Sequence, residues 1–401
     1  MGTLTKIGGY KYRIYPNYEQ RVALSQLFGC VRYVYNWGLS RRVEHYRETG
    51  ESINSYDLSK ELTQHKKAPD KTWLNDVLRM PLRVSLFNLD KAYKNFFQKR
   101  AKKPRFKKKV NSQSATITYQ YFAIKDKKLS IHKIPGLLKL RWSRYWSVDA
   151  DVKSVTISKD VSERYFVSFL VSEPVAPLRP IDTKIGIDMG LTHFLTTSEG
   201  EKVDNPKYFI KQLKKYRRLC RAFSRKKNGS RNKEKMRIKK AHLSAKITDR
   251  RRDFQHKLSS RLIRENQAIG LESLSVENML KNRHLSKHIA DASWSTFLAM
   301  LSYKGDWYGR DIATPEEEFF PSSKMCSTCG FVLDELPLSV REWTCPACST
   351  CHDRDVNAAI NIRNHTVGGT GIDACGESVR PQRRSKRQES VKQELSLQDS
   401  P

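Results

Sequence analysis

Apolar and polar side chains alternate along residues 7–16, IGGYKYRIYP, and the run stops at a proline, which predicts an opening strand with one buried face. The period then changes. From Tyr18 to about Lys99 apolar positions fall near every 3.6 residues, first Val22, Leu24, Leu27, Val31 and Val34, later Leu86, Leu89, Tyr93 and Phe97, so this stretch is expected to be helical. Strand-like runs return as ATITYQYF, KLSIHKI, LLKLRW, KSVTISK and RYFVSFLV, bounded by turn residues. Their order predicts one barrel-like β unit interrupted by helices.

EPVAPLRPID, with three prolines, marks the clearest domain boundary. Beyond it KIGIDMG and THFLTTSEG read as two strands joined by a tight turn. A long basic helical stretch follows from about Asn205 to Asn266, with a break expected at Asn228-Gly229-Ser230, then an apolar strand, AIGLESL, and an amphipathic helix, ASWSTFLAMLSYKGDWYG. Alternating helix and strand predict a mixed α/β sheet. Past Gly368 few apolar residues remain, so the tail is expected to be disordered.

Composition narrows the partners. Lys and Arg total 75 against 42 acids, a formal net charge of +33, which favours nucleic acid and repels the chain from itself. No apolar run approaches the roughly 18 residues of a membrane span, and the first residues, MGTLTKIGGYKYRIYP, carry no leader signature, so an intracellular, membrane-free protein is expected. Residues 91–109 hold ten basic residues and no acid, interleaved with Tyr93, Phe96, Phe97 and Phe106. Cations for phosphates beside rings for bases make Lys99, Arg100, Lys102, Lys103, Arg105, Lys107, Lys108 and Lys109 candidate nucleic-acid contacts. Residues 211–257 carry 20 basic residues against three acids and add Arg217, Arg218 and Arg221.

Five of the eight cysteines lie between Cys326 and Cys351. Cys326-Ser-Thr-Cys329, 15 residues, then Cys345-Pro-Ala-Cys348 matches the ribbon spacing that closes a tetrahedral zinc site. Cys348 and Cys351 also stand at C-x2-C spacing, with His352 after them; Cys351 is taken as a spare. Four thiolates leave no open position, so such a zinc is structural and any catalysis needs another site. Cys30, Cys220 and Cys375 are scattered and read as small buried residues or idle thiols.

Asp188 interrupts an apolar, glycine-flanked strand, Glu272 ends AIGLE, and Asp353 and Asp355 precede VNAAINI. Each has an ordinary alternative: a strand-end Asp, a surface Glu, a helix cap. Glu316, Glu317 and Glu318 are rival carboxylates that read as solvated. Spacing alone leaves open whether three separate acids converge on metal ions, as two-metal phosphoryl transfer requires.

Taken in order, GIDMGL, GLESL, PSSKMCSTCG, CPAC and HDRDVNAAINI, with YKYRIYPNYEQRVALSQLFGCVRYVYNWGL and KKPRFKKK upstream, resemble the TnpB (OrfB) family of insertion-sequence proteins, relatives of type V CRISPR effectors and Fanzor proteins. The resemblance spans about Tyr10 to Ile362 and implies an α+β multidomain chain. Its parts would be a wedge-like β-barrel (residues 1–17 and 104–176), a helical recognition insertion (18–103), a RuvC-like nuclease domain with an RNase H-type sheet (181–320 and 352–366), a zinc ribbon inserted into it (321–351) and a disordered tail (367–401). It further implies an RNA-guided DNA endonuclease of the prokaryotic cytoplasm or nucleoid, using a guide RNA from the transposon end and cutting target DNA. Asp188, Glu272 and Asp355 would be its catalytic acids, holding Mg2+ or Mn2+, with Asp353 and Arg354 as neighbours that shape the site. Ser349 departs from the family pattern, where Gly is common. The alternative is a non-cleaving accessory transposition factor or RNA-guided repressor on the same scaffold.

Overall fold

The computed structural model describes residues 4–315 and 320–368. Glu316, Glu317, Glu318, Cys375 and the expected disordered tail past Gly368 lie outside them. Strand β1 (Leu4–Ile14) is followed by helices α1 (Tyr18–Thr49), α2 (Ser55–His65) and α3 (Arg79–Phe97). Then come β2 (Gln113–Thr118), β3 (Phe122–Lys125), β4 (Lys128–Ile131), β5 (Leu137–Arg141), β6 (Asp151–Lys159) and β7 (Tyr165–Val175). All seven strands join one sheet in the order β2-β6-β7-β1-β5-β4-β3, and its two edge strands are linked by the short turn Tyr119–Tyr121, giving a nearly closed barrel. The opening strand sits inside this sheet, antiparallel to β7 along its length and to β5 at its end. Its alternation buries Tyr10, Tyr12 and Ile14 and turns Lys11 and Arg13 outward. The helices share this core: Leu24, Leu27, Leu58, Leu86 and Leu89 belong to one buried cluster with Ile117, Val155, Val167 and Phe169.

After the prolines the chain builds a second sheet from β8 (Lys184–Asp188), β9 (His193–Thr197), β10 (Lys202–Asp204), β11 (Ala268–Leu271) and β12 (Asp311–Ala313). The order is β10-β9-β8-β11-β12: β8, β9 and β10 run antiparallel in turn, and β11 lies parallel to both β8 and β12. Between β10 and β11 stand the basic helices α4 (Tyr208–Ser224) and α5 (Arg231–Glu265), interrupted where expected by Gly229 at φ 77° and by Ser230, which caps α5 through Lys233 N at 3.2 Å. After β11 come α6 (Val276–Met279), α7 (Ser286–Ala292) and α8 (Trp294–Tyr308). Ile187, Ile269, Leu271, Leu262, Trp294 and Phe297 form the core of this second unit.

The cysteine segment carries a two-stranded sheet, β13 (Glu342–Thr344) against β14 (Cys351–Asp353), and a small core of its own around Trp343. Its closing strand thus runs two residues past the expected end of the ribbon. Helix α9 (Arg354–Thr366) follows directly and packs back on β8 and β11. No described helix is long and apolar enough to cross a membrane.

Candidate active site and metal centre

Strands β8 and β11 repeat one short pattern, Gly-x-acid: Gly186-Ile187-Asp188 and Gly270-Leu271-Glu272. Residues two apart on a strand share a face, and parallel pairing sets Gly186 beside Gly270 and Ile187 beside Leu271. Both acids therefore leave the carboxyl ends of adjacent parallel strands, where open α/β sheets commonly place their ligands. The glycines face α9. A Cβ on Gly186 would overlap the carbonyl oxygen of Ala359 and lie 2.6 Å from Arg363 N; one on Gly270 would overlap the Thr366 hydroxyl and lie 3.2 Å from the Ile362 carbonyl. Only bare backbone lets the helix come this close. Asp355 stands one helical turn before Ala359 on α9, toward the same end of the sheet as Asp188.

The ionisation of the acids reflects that gathering. Enclosure of its carboxyl pushes Asp188 well above the usual carboxylate range, and the charges of Glu272 and Asp355 raise it further, against weaker opposing fields from Arg354 and Arg341. Burial lifts Glu272 to about 7. As whole residues both keep partial solvent contact; it is their carboxyl groups that are enclosed. Glu272 and Asp355 are close enough for their charges to act on Asp188, and together the three acids can offer a divalent cation oxygen ligands. Asp355 also meets the Arg341 guanidinium at 3.3 Å. Asp353 has a different task. It caps α9, accepting from the N–H groups of Asp355 at 3.1 Å and Val356 at 3.0 Å, and pairs with Lys202 at 2.6 Å.

The sulfur atoms of Cys326, Cys329, Cys345 and Cys348 all lie within 4.8 Å of one another. Cys326 to Cys348 and Cys329 to Cys345 are each 3.6 Å, near the edge of about 3.8 Å that a tetrahedron with zinc–sulfur bonds of about 2.3 Å would have. The donor set therefore fits zinc. The two knuckles are built alike: Cys326 N donates to Phe331 O and Gly330 N to Cys326 O, while Cys345 N donates to Thr350 O and Ser349 N to Cys345 O. Gly330 takes φ 80° and Ser349 takes φ 61° at the same place, which explains why Gly would suit position 349. Cys351 lies exposed on β14, outside the four-sulfur group, whereas buried His352 brings Nε2 to 3.0 Å from Cys326 Sγ.

The basic candidates separate into two kinds. Arg217, Arg218 and Arg221 are exposed on α4, and Lys99, Arg100, Lys102, Lys103, Arg105, Lys108 and Lys109 are exposed around and beyond the end of α3. Lys107 is also exposed as a residue but is tied to the protein: its ammonium lies 3.9 Å from the Tyr35 ring centre and its backbone exchanges hydrogen bonds with Asn36. A further basic surface escaped the sequence reading, a cleft of about 1190 Å³ between the barrel and helices α5 and α8. Lys11, Arg13, Arg144 and Arg252 line it, together with Phe166 and Trp307. Arg164 to Asp249 at 2.5 Å ties the two walls together. Within it Arg13 leaves a buried Nη1 without a partner, and burial together with Arg252 pushes the Lys11 ammonium below its usual range. The strand alternation was the available signal, because it turns Lys11 and Arg13 out of the barrel; the facing wall comes from a distant helix.

Comparison with known proteins gives a consistent picture. Residues 167–283 match a family model described as "Probable transposase", residues 294–362 a "Cas12f1-like, TNB domain", and residues 1–51 a "Helix-turn-helix domain"; in that last span the fold is strand β1 and the single helix α1. A Streptomyces pristinaespiralis protein named "Putative RNA-guided DNA endonuclease" is 44% identical over 388 residues, covering 96% of this chain and 95% of its own. The Escherichia coli K12 protein "Putative RNA-guided DNA endonuclease InsQ" is 30% identical over 403 residues, covering 96% and 98%. In fold, the chain resembles a protein solved in the "Cas12f1-sgRNA-target DNA complex", with a TM-score of 0.53 at 14% identity over 90% of this chain and 99% of that one.

Proposed function

Because the chain belongs to the TnpB (OrfB) family of insertion-sequence proteins, we propose that it is a transposon-encoded, RNA-guided DNA endonuclease whose RuvC-like centre is Asp188, Glu272 and Asp355. The observation that carries this reading is the gathering of carboxylates from β8, β11 and α9 at one end of a mixed sheet, where the charges of Glu272 and Asp355 act on Asp188. The names of the relatives support guided DNA cutting as the activity. A non-cleaving accessory factor would leave those enclosed acids without a task.

The three acids would hold Mg2+ or Mn2+, and bound ions of this kind activate water and neutralise charge on a scissile phosphate. The rest falls to the chain. Burial favours the protonated carboxyls of Asp188 and Glu272 in the free protein, so cation binding by these residues would be accompanied by proton release. Arg341 faces Asp355 from the ribbon side of the centre. The four cysteines would hold a structural zinc that organises the ribbon, separate from the acids. Basic residues of the interlobe cleft and the exposed cations of α4 would grip nucleic-acid phosphates without reading sequence, leaving recognition to guide pairing. The expected setting is a prokaryotic cytoplasm or nucleoid.

The test is to sequence the RNA that co-purifies with the protein after a high-salt wash, then to offer DNA matching its terminal segment with Mg2+. One discrete RNA and cutting of the matched DNA are expected. Mixed cellular RNA together with uncut matched DNA would overturn the reading.

A further inference from the structure

Helix α9 contains two buried amide side chains one turn apart, Asn357 and Asn361, at 1% and 2% exposure. Asparagine is a modest helix former, and a buried amide is costly unless its hydrogen bonds are made. Here both are satisfied by the first cysteine knuckle. Asn357 Nδ2 donates to the Met325 carbonyl at 2.7 Å, and Asn361 Nδ2 donates to the same carbonyl at 2.6 Å and to that of Ser322 at 2.8 Å. Asn357 Oδ1 accepts from Ser327 N at 2.9 Å. Met325 and Ser327 flank Cys326, so the clamp grips both sides of one cysteine of the four-sulfur group.

The first residue of the helix adds a second tie. Buried Arg354 donates from its backbone to Arg341 O at 2.8 Å and from its guanidinium to Pro337 O at 2.6 Å. Asp355 and Asn357 are about 200° apart around the helix, so the acid and the clamp occupy opposite sides of one rod. The glycine contacts with β8 and β11 set how near α9 lies to the sheet; these polar ties fix its position along its own axis.

We infer that Asn357 and Asn361 are positioning residues that make the placement of Asp355 depend on the folded state of the cysteine ribbon. Loss of the ribbon's metal would then loosen the acidic centre from the far side of α9. The inference rests on the proposed cation site at Asp188, Glu272 and Asp355, and its test separates the two.

The experiment uses the zinc-loaded full chain and titrates Mn2+, read by electron paramagnetic resonance, alongside hydrogen exchange of the α9 backbone. In Asn357→Ala/Asn361→Ala, zinc content should remain at the level of the unaltered chain while Mn2+ binding weakens at least 10-fold and α9 exchanges faster. Removing zinc from the unaltered chain should weaken Mn2+ binding similarly, and removing it from the double variant should add little. Ser327→Pro is the milder companion: it deletes only the N–H donated to Asn357, and the second knuckle already carries Pro346 at the corresponding place. It should weaken Mn2+ binding 2- to 5-fold with zinc retained. Unchanged Mn2+ binding and α9 exchange in Ser327→Pro and the double variant would overturn the clamp, as would losses from zinc removal and the double variant that simply multiply. If the unaltered chain binds no Mn2+ that Asp188→Ala abolishes, the cation-site reading fails instead, and faster α9 exchange on zinc removal from the unaltered chain alone still decides the clamp.

Discussion

The cysteine centre and the carboxylate centre meet on one helix yet are held together by opposite means. Cys326, Cys329, Cys345 and Cys348 come from one short segment, and their sulfurs gather within 4.8 Å. A metal there would cross-link a ribbon too small to fold on its own core, so binding is folding energy. Asp188, Glu272 and Asp355 come from three separated elements, and burial together with the charges of the other two raises the cost of ionising Asp188. Their meeting is imposed by sheet register, two glycines and a docked helix. One centre contributes stability when loaded; the other draws on the stability of the fold around it.

The largest test of this contrast is zinc removal. Structural zinc sites bind with apparent free energies of about 10–16 kcal/mol in isolated fingers, so chelation or Cys345→Ser should abolish zinc uptake and expose the ribbon to hydrogen exchange while the barrel stays protected. A metal-free ribbon with full protection would break the contrast. Next comes Glu272→Gln. Its carboxyl titrates at about 7 in the folded chain against an ordinary 4.5, so the folded state binds the extra proton between those values and stability falls as pH rises through that window. The effect is on the order of 3 kcal/mol at most, since the group is partly screened. The Gln variant should therefore be more stable than the unaltered protein at pH 8 without divalent ions, by denaturant unfolding, and show a flatter pH profile; equal stability would contradict the cost assigned to the acids.

Gly186→Ala should destabilise by about 1–3 kcal/mol through overpacking and lower cleavage, because the added methyl overlaps the Ala359 carbonyl. Gly29→Ala on α1 is the control: nothing lies within 4 Å of its Cβ, and helix propensity favours it by about 1 kcal/mol. The smallest effect belongs to Ser349→Gly, which should stabilise the loaded ribbon by about 1 kcal/mol by relieving φ 61°, measured as resistance of zinc to a competing chelator.

The two centres also differed in how much could be read from residues alone. Cysteine spacing is a local signal and marked the four cysteines whose sulfurs gather, with Cys351 outside the group. The acids were visible singly, but their convergence came from family resemblance, because register between β8 and β11 depends on pairs such as Gly186 with Gly270, 84 residues apart in the chain. The repeated Gly-x-acid pattern was a physical clue to it. Long strands and helices were legible from their periods, including the break at Gly229. Three-residue strands such as β10, β12, β13 and β14 hold too few positions to show a period. The Asn357 and Asn361 clamp and the basic cleft arise where separate elements dock, so composition pointed to polyanions without locating this surface.

The central claim is that three separated carboxylates form one cation-dependent cutting centre. Its most direct test is cleavage of guide-matched DNA in Mg2+ by purified complexes carrying Asp188→Ala, Glu272→Ala or Asp355→Ala. The account predicts that each loses cleavage by about 10³-fold or more, several kcal/mol of transition-state stabilisation, while zinc content and guide-dependent DNA binding persist. Cleavage at the unaltered rate in any one of the three, with folding intact, would contradict it.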